Sequence, residues 1–159
     1  YSDRFLFGPL PVKMLLETLR ALRKITPEDS AFGLTINTAH VNSNELRPPS
    51  RISHNWQSSL TRDQVLKRAL EKIGMTTNVV SMDRKRLPHF RTFEFIWEDG
   101  EKKTIRLDQG FGYWWTSYRD NKLFAFNADE EIQAEEIGKL NVQIEGRNKK
   151  FPTIVYVSV

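Results

Sequence analysis

At 159 residues, with 39% hydrophobic and 28% charged side chains, the chain has the size and balance of one soluble globular domain, and no apolar run approaches the ~18 residues of a membrane span. It contains no cysteine, which excludes disulfides and thiolate metal sites and fits a reducing compartment, the cytoplasm by default. Lys and Arg outnumber Asp and Glu by 24 to 20, a mild bias towards polyanionic partners whose meaning depends on where the charges fall.

Tyr1 to Phe7 reads as a short apolar strand ended by Gly8-Pro9. Because the chain starts without methionine and enters a strand at once, residues 1–159 are expected to be a single domain excised from a longer polypeptide. A helix follows: Val12, Leu15, Leu16, Leu19 and Leu22 recur at helical spacing, with Lys13, Glu17, Arg20 and Arg23 on the other face. Pro9 and Pro11 suit a first turn, and Thr26-Pro27 stops the helix. Ala31 to Ala39 alternates as a second strand, and a helical crossover of this length implies that the two strands are parallel with a right-handed connection. Val41 to Ser59 has no period and reads as a long surface loop; His40 and His54 flank most of it but lack the acids or cysteines a metal site requires.

Thr61-Arg62-Asp63-Gln64 has the form of a capping box, with Leu60 and Val65 as its staple, so a second helix is expected from there to Ile73, with Val65, Leu66, Ala69, Leu70 and Ile73 buried and Gly74 as left-handed cap. Thr77 to Met82 is a further strand. Later come a weak strand at Leu123 to Phe126, a helix from Asp129 to Ile137, a strand from Leu140 to Ile144, and a β-branched stretch from Phe151 to Val159 that Pro152 confines to an edge or bulge. The fold class is α/β, a mixed sheet with flanking helices.

The candidate chemistry gathers between Leu87 and Trp115. Phe90 to Trp97 and Thr104 to Leu107 form a hairpin around Asp99-Gly100. Alternation along the first strand puts His89 and Arg91 on one face, with Phe93, Phe95 and Trp97 continuing the row. Arg84, Lys85 and Arg86 precede it, Lys102, Lys103 and Arg106 flank the hairpin, and Arg147, Lys149 and Lys150 lie near the end, whereas acids concentrate at 129–136. A basic surface beside the hairpin suits a phosphate-bearing ligand. Asp108, among the residues that follow the hairpin, and Asp3 and Arg4, on the opening strand, are supporting candidates. Tyr113, Trp114 and Trp115 suit either base stacking or a core.

Tyr1-Ser2-Asp3-Arg4-Phe5-Leu6, followed by helix, strand, variable loop, helix and then Pro88-His89-Phe90-Arg91 with a hairpin, resembles a phospholipase D-like half. More narrowly it resembles the degenerate single-half forms found beside helicases in bacterial defence systems and at the C-termini of microtubule-interacting-and-trafficking proteins. The resemblance implies that His89 matches the nucleophilic histidine and Arg91 the phosphate-binding lysine of the active pattern. Ile96 stands where that pattern has its acid, and Gly110-Phe111 lacks its serine. One chain supplies only one such histidine, so catalysis by His89 and Arg91 requires a homodimer.

The expected function is therefore a non-catalytic accessory domain of a helicase-type or antiviral defence protein. It binds nucleic acid, DNA favoured, through Arg84, Lys85, Arg86, His89, Arg91, Lys102, Lys103 and Arg106. The alternatives are a dimeric, metal-independent phosphodiesterase or nuclease using His89, and a protein-interaction or anionic-membrane module, the membrane being the weaker candidate partner. No metal or cofactor is expected.

Overall fold

A computed structural model describes residues 1–26, 33–41, 56, 58–107, 115–116, 129–140, 144–145 and 155–158. Within these, β1 is Ser2–Asp3, α1 Pro9–Ile25, β2 Gly33–Ala39, α2 Ser59–Glu71, β3 Thr76–Met82, β4 Arg91–Ile96 and β5 Lys102–Leu107. A two-residue β6 (Trp115–Thr116), α3 (Glu130–Lys139), β7 (Ile144–Glu145) and β8 (Val155–Ser158) complete the order. The expected strand at Leu123 to Phe126 lies outside the described residues, as do Arg147, Lys149, Lys150 and Asp108.

Six strands form one mixed sheet in the order β3-β2-β1-β4-β5-β8, and β6 pairs antiparallel with β7. β1, β2 and β3 are parallel, with Asp3 opposite Thr38 and Thr38 opposite Ser81; β4, β5 and β8 continue antiparallel. The parallel pairing of the first two strands is as their crossover length requires. Two successive right-handed crossovers moving the same way across a sheet place their helices on the same face. Accordingly α1, α2 and α3 share one core with Ile36 and Phe93. Among the described residues the other face carries the alternate positions, mostly polar (Thr35, Asn37, Thr76, Asn78, Glu94 and Arg106) but with Val80 and Ile96 exposed among them.

Local chemistry accounts for most boundaries. Gly74 and Gly100 have φ of 75° and 85°, the left-handed backbone that glycine adopts at little cost, and they end α2 and turn the β4–β5 hairpin. Asp129 accepts the Ile132 N–H at 2.8 Å as the cap of α3. The opening strand is shorter than its apolar pattern suggests: the Asp3 carboxylate accepts the Phe5 N–H at 2.8 Å, folding the chain into a turn where the strand would have continued.

The capping box at Thr61 is not formed. Helix α2 starts three residues earlier, with Ser58 as N-cap accepting the Thr61 N–H at 3.3 Å. Leu60 is 68% exposed while Val65 is fully buried, so they form no staple. The helix also ends at Glu71, because the Gly74 N–H bonds back to the Glu71 carbonyl and that of Met75 to Leu70. Lys13 was expected on the solvent face of α1, but it is buried. Its ammonium donates to the Gly138 carbonyl at 2.7 Å and pairs with Glu17, placing a cation at the negative end of α3. Trp56, in the stretch read as a surface loop, is fully buried and donates its indole N–H to Gln133 of α3 at 2.8 Å.

Candidate functional site

The carboxyl ends of three parallel strands meet at one sheet edge, where open α/β sheets place their ligands. Antiparallel pairing brings the start of β4 and the end of β5 to the same edge. Side chains far apart in sequence converge there: Asp3, Arg4 and Phe5 after β1, His40 after β2, Arg62 from the first turn of α2, the 3-10 turn Arg84–Arg86 after β3, and His89 to Arg91 entering β4.

Asp3 is the centre of this edge. It is 1% exposed, accepts Tyr1 Oη at 2.9 Å and the Phe5 N–H, and binds Nε of Arg91 at 3.1 Å; Arg91 is 5% exposed. Arg4, 7% exposed, donates through Nη2 to the Arg84 carbonyl at 2.5 Å, while its Nε is buried with no partner among the described residues. The guanidinium carbons of Arg91, Arg84 and Arg4 lie 4.8, 4.9 and 5.9 Å from the centroid of the Phe5 ring. Three cations around one aromatic ring is an arrangement that the ring quadrupole favours and mutual repulsion opposes.

Arg62 holds the strand ends together. Fully buried, it donates to the Leu6 carbonyl at 3.0 Å, the Ala39 carbonyl at 3.1 Å, Thr38 Oγ1 at 3.5 Å and Ser81 Oγ at 2.8 Å. Its Nε pairs with Asp63, whose other oxygen accepts from Ser81 Oγ at 2.8 Å. Burial lowers the Arg62 pKa, and the charges of Asp63 and Asp3 oppose that shift. In the Thr61-Arg62-Asp63-Gln64 pattern, Arg62 is only an interior position of a capping box. Its spacing from Val65, Leu66 and Ala69 places it on the buried stripe of α2, and that is the signal that identifies it.

The remaining sequence candidates separate. His89 and Arg91 do not share a strand face: β4 begins at Arg91, and His89 sits exposed in the preceding bend, where alternation does not operate. Lys85 and Arg86 are exposed at the same edge, beside half-buried Arg84. Arg106 lies on the helix-free face, stacked 4.8 Å from the Phe90 centroid. Lys102 and Lys103 are at the far end of the hairpin, roughly 17 Å along β4 from Arg91 at ordinary strand rise. There they contact Glu94 at 3.7 Å and the Trp97 ring at 5.9 Å. His40 bonds Ser59 Oγ at 3.3 Å, and His54 lies outside the described residues.

Burial raises the Tyr1 phenol well above its ordinary 10.0, the Asp3 charge adds to this, and Arg91 opposes it. The folded protein therefore keeps a proton that the unfolded chain releases near pH 10. This contribution is complete below that pH and is lost as pH rises towards the folded-state value. Tyr1→Phe should show a smaller loss of denaturant stability than the parent between about pH 8 and about pH 11. An equal alkaline loss in both proteins would show that Tyr1 does not carry it.

Fold and edge together define a two-layer α/β domain that gathers guanidinium groups at the carboxyl ends of its parallel strands. The chain belongs to the family described as the C-terminal domain of the DEAD/DEAH box helicase YjiV, whose family model matches residues 1–159. It is thus a helicase-associated domain, as the sequence resemblance implied. No curated protein and no solved structure matches the chain. Among the described residues no helix is long and apolar enough to cross a membrane.

Proposed function

We propose that this domain is a non-catalytic accessory that holds nucleic-acid phosphate, DNA favoured, for the helicase to which it belongs. The observation that carries the reading is the set of Arg4, Arg84 and Arg91 around Phe5, with Lys85 and Arg86 exposed beside it. Guanidinium forks match phosphate oxygens, and a rim of flexible cations extends the contact along a strand. Helicase membership supports the choice of nucleic acid over other polyanions. A decayed phospholipase D-like half is a suitable origin: His89 and Arg91 still open the hairpin, but no acid stands at Ile96. A dimeric phosphodiesterase using His89 has less support, since His89 is exposed and has no carboxylate partner among the described residues.

If the edge engages three to four phosphates of duplex DNA, affinity should fall by roughly 40- to 150-fold between about 50 and 200 mM salt. Charge reversal of Arg84, Lys85 and Arg86 together should lower it at least about tenfold and flatten the salt slope. The same reversal at Lys102 and Lys103 should change it by less than about threefold, because those residues lie beyond a Debye length from the edge. Fluorescence anisotropy with a labelled duplex reads all three proteins. Affinity indifferent to both salt and the triple reversal would rule the reading out. Preference for anionic vesicles in direct competition would transfer the same charges to a membrane role.

A further inference from the structure

We propose that the buried part of this edge, Arg4 and Arg91 over Phe5, is a subsite for one terminal phosphate, the phosphomonoester at the end of a nucleic-acid strand. The inference rests on the nucleic-acid reading and narrows it from backbone contact to end recognition.

Burial is the first argument. Arg4 and Arg91 are more than nine-tenths buried, whereas Lys85 and Arg86 are exposed. A continuous backbone can run over the exposed pair but reaches buried guanidiniums only by bending sharply, while a terminal phosphate projects from its strand and can enter alone. Donor supply is the second. Arg4 keeps a buried Nε with no partner among the described residues, an arrangement that costs free energy unless a ligand supplies the acceptor. Arg91 engages Asp3 through Nε, and among the described residues its two Nη groups meet no acceptor. A phosphomonoester offers three non-bridging oxygens where an internal diester offers two, and carries about −1.5 to −2 charge at neutral pH.

Charge is the third. Arg62 has Asp63 as its own counter-ion, so Arg4 and Arg91 have Asp3 as their carboxylate among the described residues. Among the described residues the pair thus retains positive charge, which a dianion neutralises more fully than a monoanion. Asp83 is occupied locally, accepting the Lys85 N–H at 2.7 Å as the cap of the 3-10 turn. Phe5 gives the guanidiniums a surface to lie on and hinders them from turning out to solvent.

The test compares one oligonucleotide sequence in three forms, with a 5′-phosphate, with a 3′-phosphate and with hydroxyls at both ends, against the 159-residue chain at matched ionic strength, repeated at a low and a high salt concentration. One phosphorylated form should bind at least about tenfold tighter than the hydroxyl form, the scale of a charge-assisted hydrogen bond. Inorganic phosphate, but not chloride at matched ionic strength, should erase that difference. Arg4→Met should also erase it, whereas Lys85→Glu with Arg86→Glu should weaken all three forms together and keep the preference. Should Arg4→Met fail to fold, the preference of the parent protein and its competition by phosphate decide the matter. Equal, salt-sensitive binding of all three forms overturns end recognition and leaves the nucleic-acid reading standing. No salt-sensitive binding of any form overturns both.

Discussion

Arg62→Ala should destabilise the domain by about 3–5 kcal/mol, the range found when one member of a buried ion pair is removed. The side chain is fully buried and is the shared donor for groups at the ends of all three parallel strands: the Leu6 and Ala39 carbonyls and Ser81 Oγ. Alanine leaves those acceptors without it, removes the partner of Asp63, and opens a cavity among Leu6, Thr38 and α2. Arg62→Met should cost less than alanine, because its stem fills the space, although the carbonyls stay unpaired. Arg62→Lys keeps the charge but cannot present donors in three directions, so it too should fall short of the parent. Urea or guanidinium unfolding checks this as a lower midpoint with an unchanged slope. A loss below about 1 kcal/mol for alanine would show that water replaces the side chain and that the strand ends do not depend on it.

The second large effect is expected at the Asp3–Arg91 pair. Asp3→Ala leaves Arg91 buried without its carboxylate beside Arg4 and Arg84, and also removes the acceptor for Tyr1 Oη and the Phe5 N–H. Arg91→Met leaves the Asp3 charge buried with those two neutral donors as its hydrogen-bond partners among the described residues. Each single change should cost about 3–5 kcal/mol, since what remains is an uncompensated buried charge. The double change Asp3→Asn with Arg91→Met removes both charges, and the single amide oxygen still accepts the Phe5 N–H while the amide nitrogen donates to Tyr1 Oη. It should therefore cost clearly less than the sum of Asp3→Asn and Arg91→Met made singly, with a coupling of about 1–3 kcal/mol. Denaturant midpoints of the parent, Asp3→Asn, Arg91→Met and the double complete the cycle. Strict additivity would mean that the 3.1 Å contact is incidental to stability.

These two pairs show how far the amino-acid order reaches. Properties set by near neighbours were legible: the stripe of Val12, Leu15, Leu16 and Leu19, the left-handed turns at Gly74 and Gly100, the acidic start of α3, and the parallel pairing implied by a helical crossover between β1 and β2. Each depends on backbone dihedrals or side-chain periodicity within a few residues, and these are written locally. Even here a competing neighbour moved a boundary: Ser58 in place of Thr61 at α2, and the Asp3 turn in place of further strand.

Apart from Arg62, whose place on the apolar stripe of α2 marks it as buried, which charges are inside was decided only by the tertiary structure. His89 and Arg91, two residues apart, fall on opposite sides of a strand boundary and so on opposite sides of the burial line. Lys102 and Lys103 belong to the same basic sequence region as Arg91, but the hairpin carries them to its far end. Lys13 and Arg62, read as solvent-facing or merely capping, are buried because carbonyls from distant segments converge on them. Gly138 lies 125 positions from Lys13, and Leu6 lies 56 positions from Arg62. A buried cation is tolerated only where enough acceptors meet it. That number is set by how strand ends and helix termini come together in space, which no local pattern of residues encodes.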